Sequence, residues 1–227
     1  MSSSKITLVV ATSNRGKLRE FVSIFAALPI EVVPLSAVLP SAPQVVEDGV
    51  TFEENAKKKG AFVAGLTTML TLADDSGLEV DALGGRPGVR SARFAGEHAT
   101  DAENNAALLD ALSEVHEDAR TARFRCVLSL HDPWAAQGQT PFLAEGACEG
   151  RIAREGKGSG GFGYDPLFLV AEKGFRTMAE LSDDEKNEVS HRGRAAQALL
   201  PQLSRIVTER LEDVERISRR RPSILDR

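Results

Sequence analysis

The 227-residue sequence has two cysteines, one tryptophan, one tyrosine and four histidines. Cys126 and Cys148 lie too far apart for a C-x-x-C pair and are too few for a zinc cluster or a disulfide framework, so they read as reduced, structural thiols. His98, His116, His131 and His191 show no metal-ligand spacing, and neither H-E-x-x-H nor G-x-S-x-G occurs. No apolar run approaches the roughly 18 residues of a membrane span. The longest charge-free stretch, Val32 to Val46, is interrupted by Pro34, Pro40 and Pro43. The opening MSSSKITLVVATSNRGK is too short in apolar residues for a secretory leader and reads as a first β-strand, which makes the cytoplasm the expected compartment. A net charge of −5 removes the general attraction to phosphate backbones, and one Trp and one Tyr beside ten Phe do not supply a broad single-strand platform. Nucleic acid and membranes are therefore not expected partners. A small polyanion would have to meet a local basic site.

What is present suffices for a packed core: 42% hydrophobic and 27% charged residues, with no repeat and no low-complexity linker. Strand-like and helix-like segments alternate, which predicts an α/β or α+β domain. Ile6 to Thr12 is a nearly continuous apolar run followed by polar SNRG, then Leu18, Phe21, Phe25 and Leu28 at helical spacing: strand, loop, helix. Ile30 to Leu35 reads as the next strand. Thr51 with Glu54, Thr100 with Glu103 and Ser182 with Glu185 are capping boxes that start helices; the first carries a basic face, Lys57 to Lys59, and the second runs to about Val115. Met69 to Ala73 is predicted as a buried strand ending in an Asp74-Asp75-Ser76-Gly77 turn, with Leu78 to Leu83 extended again. Ala122 to Leu130 alternates apolar and polar and should pair, as a hairpin, with a strand over about Phe142 to Arg154. A glycine-dense loop, Gly156 to Pro166, enters a short strand, Leu167 to Val170. A helix kinked by Pro201 follows His191.

Three constellations could carry chemistry. Ser13-Asn14-Arg15-Gly16-Lys17 stands where a strand feeds a helix, a position at which free N–H groups attract anions, and Gly16 would let the backbone approach a phosphate. It is not a P-loop: Ala11 replaces the first glycine and Leu18 the Ser/Thr. Asp74 and Asp75 adjoin, and neighbouring carboxylates ionise together only beside a cation, donors or solvent, for which Mg²⁺ is an economical partner. On an extended chain one would enter a site while the other braces the turn; Glu47-Asp48 is a second acidic turn. Gly160 to Asp165 could stack an aromatic on a flat ring while Asp165 bonds its edge, or could simply pack. Ser190-His191-Arg192 could aim a donor fork at a carbonyl or phosphate, although His191 alone reads as a surface histidine. Arg219 to Arg221 reads as a solvated, frayed helix end.

In order, ATSNRGKLREF, TFEENAKKKGA, ADDSGLEVDALGGRPGVRSARFAG, GGFGYDPLF and SHRGRA resemble the inosine/xanthosine triphosphate pyrophosphatase family over about Lys5 to Leu203. The resemblance implies an α/β fold, an elongated two-lobed domain (residues 1–204) whose long mixed sheet is flanked by helices, with the nucleotide in a cleft between the lobes. Residues 205–227 would form a helical, Arg-rich extension, and the protein would be a homodimer. The implied reaction is the Mg²⁺-dependent hydrolysis of ITP, dITP and XTP to monophosphate and pyrophosphate, with one or more ions per subunit, cleansing the nucleotide pool. Carried onto this sequence, Thr12, Ser13, Asn14, Arg15, Gly16 and Lys17 would hold the triphosphate, with Lys59 and Lys186 as further contacts. Asp75 would be the general base and, with Glu47, a metal ligand. Ser76 would touch substrate, and Phe162, Gly163, Tyr164, Asp165, His191 and Arg192 would hold the base. Pyrimidine or modified triphosphates, or a nucleotide sensor without catalysis, are the alternatives.

Overall fold

The computed structural model describes residues 5–43, 45–136, 139 and 141–220. Ile6–Val10 (β1) leads through the helix Arg15–Ile24 (α1) to Ile30–Pro34 (β2), which lies parallel to it. A short helix, Leu35–Val38 (α2), and a long one, Phe52–Thr67 (α3), return the chain to Thr71–Val80 (β3), parallel to β1. Asp101–Ala111 (α4) precedes the hairpin Thr121–His131 (β4) and Phe142–Ile152 (β5); Phe168–Val170 (β6), Arg176–Thr177 (β7), Asp183–Val189 (α5) and His191–Arg220 (α6) complete the fold. The seven strands form one mixed sheet in the order β2-β1-β3-β4-β5-β6-β7, antiparallel from β3 onward. Among the described residues no helix is long and apolar enough to cross a membrane.

The alternation in β4 does what period two requires. Cys126, Leu128 and Leu130 join Leu72 of β3, Phe21 of α1 and Leu199 of α6 in one apolar cluster, while Ala122 and Phe124 join Leu78, Leu108 and Phe168 in a second. The opposite face carries Arg123, held by Asp81 and Glu149, and Arg125, held by Glu145. On that opposite side α3 packs Val63 on Ala73 of β3, and Phe52 and Ala56 on Val127 of β4. Cys126 and Cys148 are free and buried.

Several expectations change. Asp74 to Gly77 form no turn: β3 continues unbroken through them, because each pairs with β4, from Asp74 opposite Leu128 to Gly77 opposite Arg125. The extended stretch ends at Val80, and Asp81–Leu83 is a 3-10 turn. α4 stops at Ala111 rather than Val115. The boxes at Thr100 and Ser182 close on both sides, whereas Glu54 reaches past Thr51 to the Val50 N–H. α6 is continuous through Pro201 and across residue 204, with Ile206 and Val207 buried in the first cluster. Of the Arg-rich end, Arg219 and Arg220 close the helix backbone and Arg221 lies outside the described residues.

Candidate active site

β1 pairs with β3 only at Val9–Thr71 and Val10–Leu72, and this edge is bridged again only at Glu79–Pro87, so between the two it has no strand neighbour among the described residues. The free edge lies past the carboxyl end of β1, where ligands gather in open α/β sheets. Asp74, Asp75 and Ser76 stand there, and their alternation sends Asp74 and Ser76 to the α6 face and Asp75 to the α3 face.

Asp74 is fully enclosed. It pairs with Lys17 of α1, accepts from Arg192 Nε of α6 at 3.1 Å and takes the Cys126 thiol at 3.1 Å. Burial alone would raise its carboxyl, but Arg192 and Lys17 hold it well below the usual carboxylate range. Arg192, also buried, pairs with Glu20 of α1 and donates from Nη2 to Ser76 Oγ at 2.9 Å. Glu20 also takes Lys186 Nζ of α5 at 2.7 Å, and Lys186 reaches Asp165 Oδ2 at 2.6 Å. Glu20 titrates low: burial pushes it up, and Arg192 and Lys186 overcome that. Burial pushes Asp165 up against Lys186. Asp74, Glu20 and Asp165 thus balance Lys17, Lys186 and Arg192, a matched set tying α1, β3, α5 and α6 together.

Asp75 has another environment. Its carboxylate accepts from Asn55 Nδ2 of α3 at 3.0 Å and from the Ser76 N–H at 3.2 Å, with no ion pair among the described residues. Burial raises it to about 6, against the pull of Lys59 and Lys17 and with a further push from Glu47. Lys59 turns inward from the basic face of α3 and pairs with Glu47 Oε1 at 2.9 Å, while Lys57 and Lys58 stay on the surface. Glu47 and Asp75 offer only hard carboxylate oxygens. That donor set suits Mg²⁺, which keeps several waters and takes further oxygens from phosphates, and a carboxylate raised by burial, with a smaller push from Glu47, is one that a cation would relieve. The described residues contain no group of three or more His, Cys, Asp or Glu able to hold a metal by themselves.

The first loop differs from its expected form. α1 begins at Arg15, with Asn14 as its N-cap: Asn14 Oδ1 accepts the Gly16 and Lys17 N–H groups at 2.8 and 3.1 Å, so these two are already satisfied. Asn14 is fixed in turn by Thr12 Oγ1, and Ser13 and Arg15 are exposed. Gly16 is required by something other than phosphate, since a Cβ there would overlap the Phe162 ring. That ring lies beneath Lys186 Nζ, 4.7 Å from its centroid, and 5.7 Å from the Arg192 guanidinium carbon.

Tyr164 does not present its face to the site. It is buried in the second apolar cluster and its hydroxyl donates to the Ser91 carbonyl at 2.8 Å, the packing alternative for this loop. His191 is not a surface residue either: it is 5% exposed and stacks on Phe124, ring centroids 4.8 Å apart. Burial, reinforced by Arg192, holds it well below its usual value and hence neutral, and its buried Nδ1 has no partner among the described residues.

The Ham1 family profile matches residues 8–202. The chain belongs to the Ham1 family. Curated relatives include the dITP/XTP pyrophosphatase of Geobacter sulfurreducens, 53% identical over 188 residues covering 83% of this chain and 92% of the relative. That of Desulforamulus reducens is 51% identical over 199 residues, 88% of this chain and 96% of the relative. Among solved structures, a HAM1 protein from Coxiella burnetii superimposes with a TM-score of 0.75 at 43% identity, covering 90% of this chain and 99% of that one. The Staphylococcus aureus Ham1 protein gives 0.74 at 40%, covering 87% and 97%. In this Ham1 chain, sequence reasoning missed Glu20 and Asn55. Glu20 is an acidic residue beside Phe21 on a helix with an apolar stripe, a place that ordinarily faces solvent, whereas Asn55 lies three residues after Phe52 on the buried stripe of α3, where helical spacing could have found it.

Proposed function

We propose that the chain hydrolyses dITP, ITP and XTP at the α–β phosphoanhydride bond, releasing the nucleoside monophosphate and pyrophosphate. The observation that carries this reading is the split of the acidic pair: Asp74 is neutralised by two cations, while Asp75 is left with a raised carboxyl at an open sheet edge. A carboxylate titrating near 6 is matched to accepting a proton at neutral pH. Asp75 would take the proton of the water that attacks the α-phosphorus. Lys17 and Lys59, which both act on Asp75, would supply countercharge to the phosphate oxygens. Glu47 and Asp75 would hold Mg²⁺, one or more ions per subunit, which when bound supplies charge neutralisation on the phosphates.

The base would lie on the α6 face of the cleft, against Phe162. Arg192 has five N–H donors, of which three are engaged by Asp74, Glu20 and Ser76, leaving two for an acceptor. Hypoxanthine and xanthine carry O6 as an acceptor where adenine carries an N6 donor, and sites that depend on such a bond reject the wrong base by about 10⁴ to 10⁵. The names of the relatives at about half identity support this substrate class. A homodimer acting in the cytoplasm to cleanse the nucleotide pool completes the proposal.

The test is a panel of ITP, XTP, dITP, ATP, GTP and dTTP with Mg²⁺, resolving pyrophosphate from orthophosphate. Pyrophosphate from the first three alone is the expected result. Orthophosphate would move the cleaved bond, turnover of dTTP would move the substrate class to pyrimidines, and binding without turnover would make the protein a sensor.

A further inference from the structure

Phe162 sits between two glycines in left-handed conformation, Gly161 at φ 73° and Gly163 at φ 62°. A ring on so permissive a backbone needs to be pinned if it is to present one face. On its N-terminal side the pin is within the loop: the Phe162 N–H donates to Asp165 Oδ2 at 2.9 Å. On its C-terminal side the pin comes from the first turns of α4, a helix outside the charge network. Asp101 Oδ2 accepts the Gly163 N–H at 2.7 Å, and Asn105 Nδ2 donates to the Gly163 carbonyl at 2.8 Å, so both polar groups of one residue are gripped.

Asn105 also donates from Nδ2 to the Asp101 carbonyl at 2.8 Å. With both amide hydrogens aimed at carbonyls, the amide cannot be turned over without setting its oxygen against two oxygens. Its own Oδ1 is buried without a partner among the described residues, an arrangement that is ordinarily costly. The chain tolerates that cost at a residue whose visible work is to hold Gly163. α4 itself is anchored by the next residue inward: Asn104 accepts from the Ala95 N–H at 2.9 Å and donates to the Ala92 carbonyl at 3.1 Å.

We infer that Asp101 and Asn105 are positioning residues that fix the Phe162 ring and thereby set the affinity for the purine base, without touching the triphosphate. The inference rests on the proposed nucleotide reading of the cleft. Because Asp101 is exposed, losing its one bond to Gly163 should leave the fold intact.

The experiment compares wild type, Asp101→Ala, Asn105→Ala and Asp101→Asn, which keeps an acceptor oxygen. It reads KM and kcat for dITP and the inhibition constant of inorganic tripolyphosphate, which has the phosphates but no base. A hydrogen bond lost from the clamp, charge-assisted at Asp101 and neutral at Asn105, predicts a KM for dITP raised about tenfold in Asp101→Ala and severalfold in Asn105→Ala, with kcat within about twofold. Tripolyphosphate inhibition should be unchanged, and Asp101→Asn should recover most of the loss. An unchanged KM, or tripolyphosphate affinity falling in parallel with dITP affinity, would overturn the clamp. A wild-type protein with no preference for dITP over tripolyphosphate would overturn the nucleotide reading and the clamp with it, whereas a preference that Asp101→Ala retains would overturn the clamp alone.

Discussion

Asp74 and Asp75 are neighbours on one strand, 1% and 7% exposed, yet they hold opposite electrostatic positions. Asp74, on the α6 face, is paired with Lys17 and Arg192 and titrates far below a normal carboxyl; Asp75, on the α3 face, has only amide donors among the described residues and titrates near 6. Burial acts on both, so the difference comes from the cations. A buried carboxylate with matched partners is part of the frame. One left short of countercharge is poised to take a proton or a cation.

That contrast can be broken from either side. The largest effect is expected for Asp75→Asn, which should lower dITP turnover by about 10²- to 10⁴-fold, the usual share of a general base, while circular dichroism and nucleotide binding stay as in wild type. Asp74→Asn should instead act on the fold. Removing one partner of a buried pair leaves Lys17 without its ion-pair partner and Arg192 with Glu20 alone, and should cost about 3–5 kcal/mol in urea unfolding.

The two carboxyls also predict opposite pH dependences for the metal-free protein. Asp75 has a folded value above its unfolded one, so the stability it contributes is complete below about pH 4 and lost as pH rises through about 6. Asp75→Asn should therefore gain up to about 3 kcal/mol over wild type at pH 8 and nothing at pH 4. Asp74 has the reverse sign: its contribution is present above about pH 4 and falls away with acid below that. His191, held neutral, also loses stability with acid, beginning as pH falls through about 6.5. Urea midpoints from pH 4 to 8 separate the three, and identical profiles for wild type and Asp75→Asn would contradict the assignment. The smallest effect is expected for Asn55→Ala, which removes one donor from Asp75 and should destabilise by about 1 kcal/mol at pH 8, less at pH 4 where the carboxyl is protonated.

Local signals in the sequence were read best where the local rule and the tertiary fold agree. Thr100 with Glu103 and Ser182 with Glu185 cap the helices they announce, and the alternation from Ala122 to Leu130 is the buried face of β4. The Asp74-Asp75-Ser76-Gly77 stretch misled because turn propensity is local, whereas pairing with β4 is not, and the ladder prevails. Placing the two aspartates on opposite sides survived the error, since alternation needs only an extended backbone. The site was legible as a set of blocks and illegible as a network. That Arg192 would be shared by Asp74, Glu20 and Ser76, that Gly16 would serve the Phe162 ring and that Tyr164 would turn into the core all depend on contacts between distant segments. Asn14 was overlooked as an N-cap in the first loop, a role that takes two of the N–H groups first assigned to an anion.

The most direct test of the account is the rate of pyrophosphate release from dITP by Asp75→Asn, measured with Mg²⁺ beside wild type at pH 8. The account predicts a folded protein, at least as stable as wild type, that binds dITP and releases pyrophosphate at least about a hundredfold more slowly. Release at the wild-type rate would remove Asp75 from the chemistry and with it the division of labour between the two aspartates.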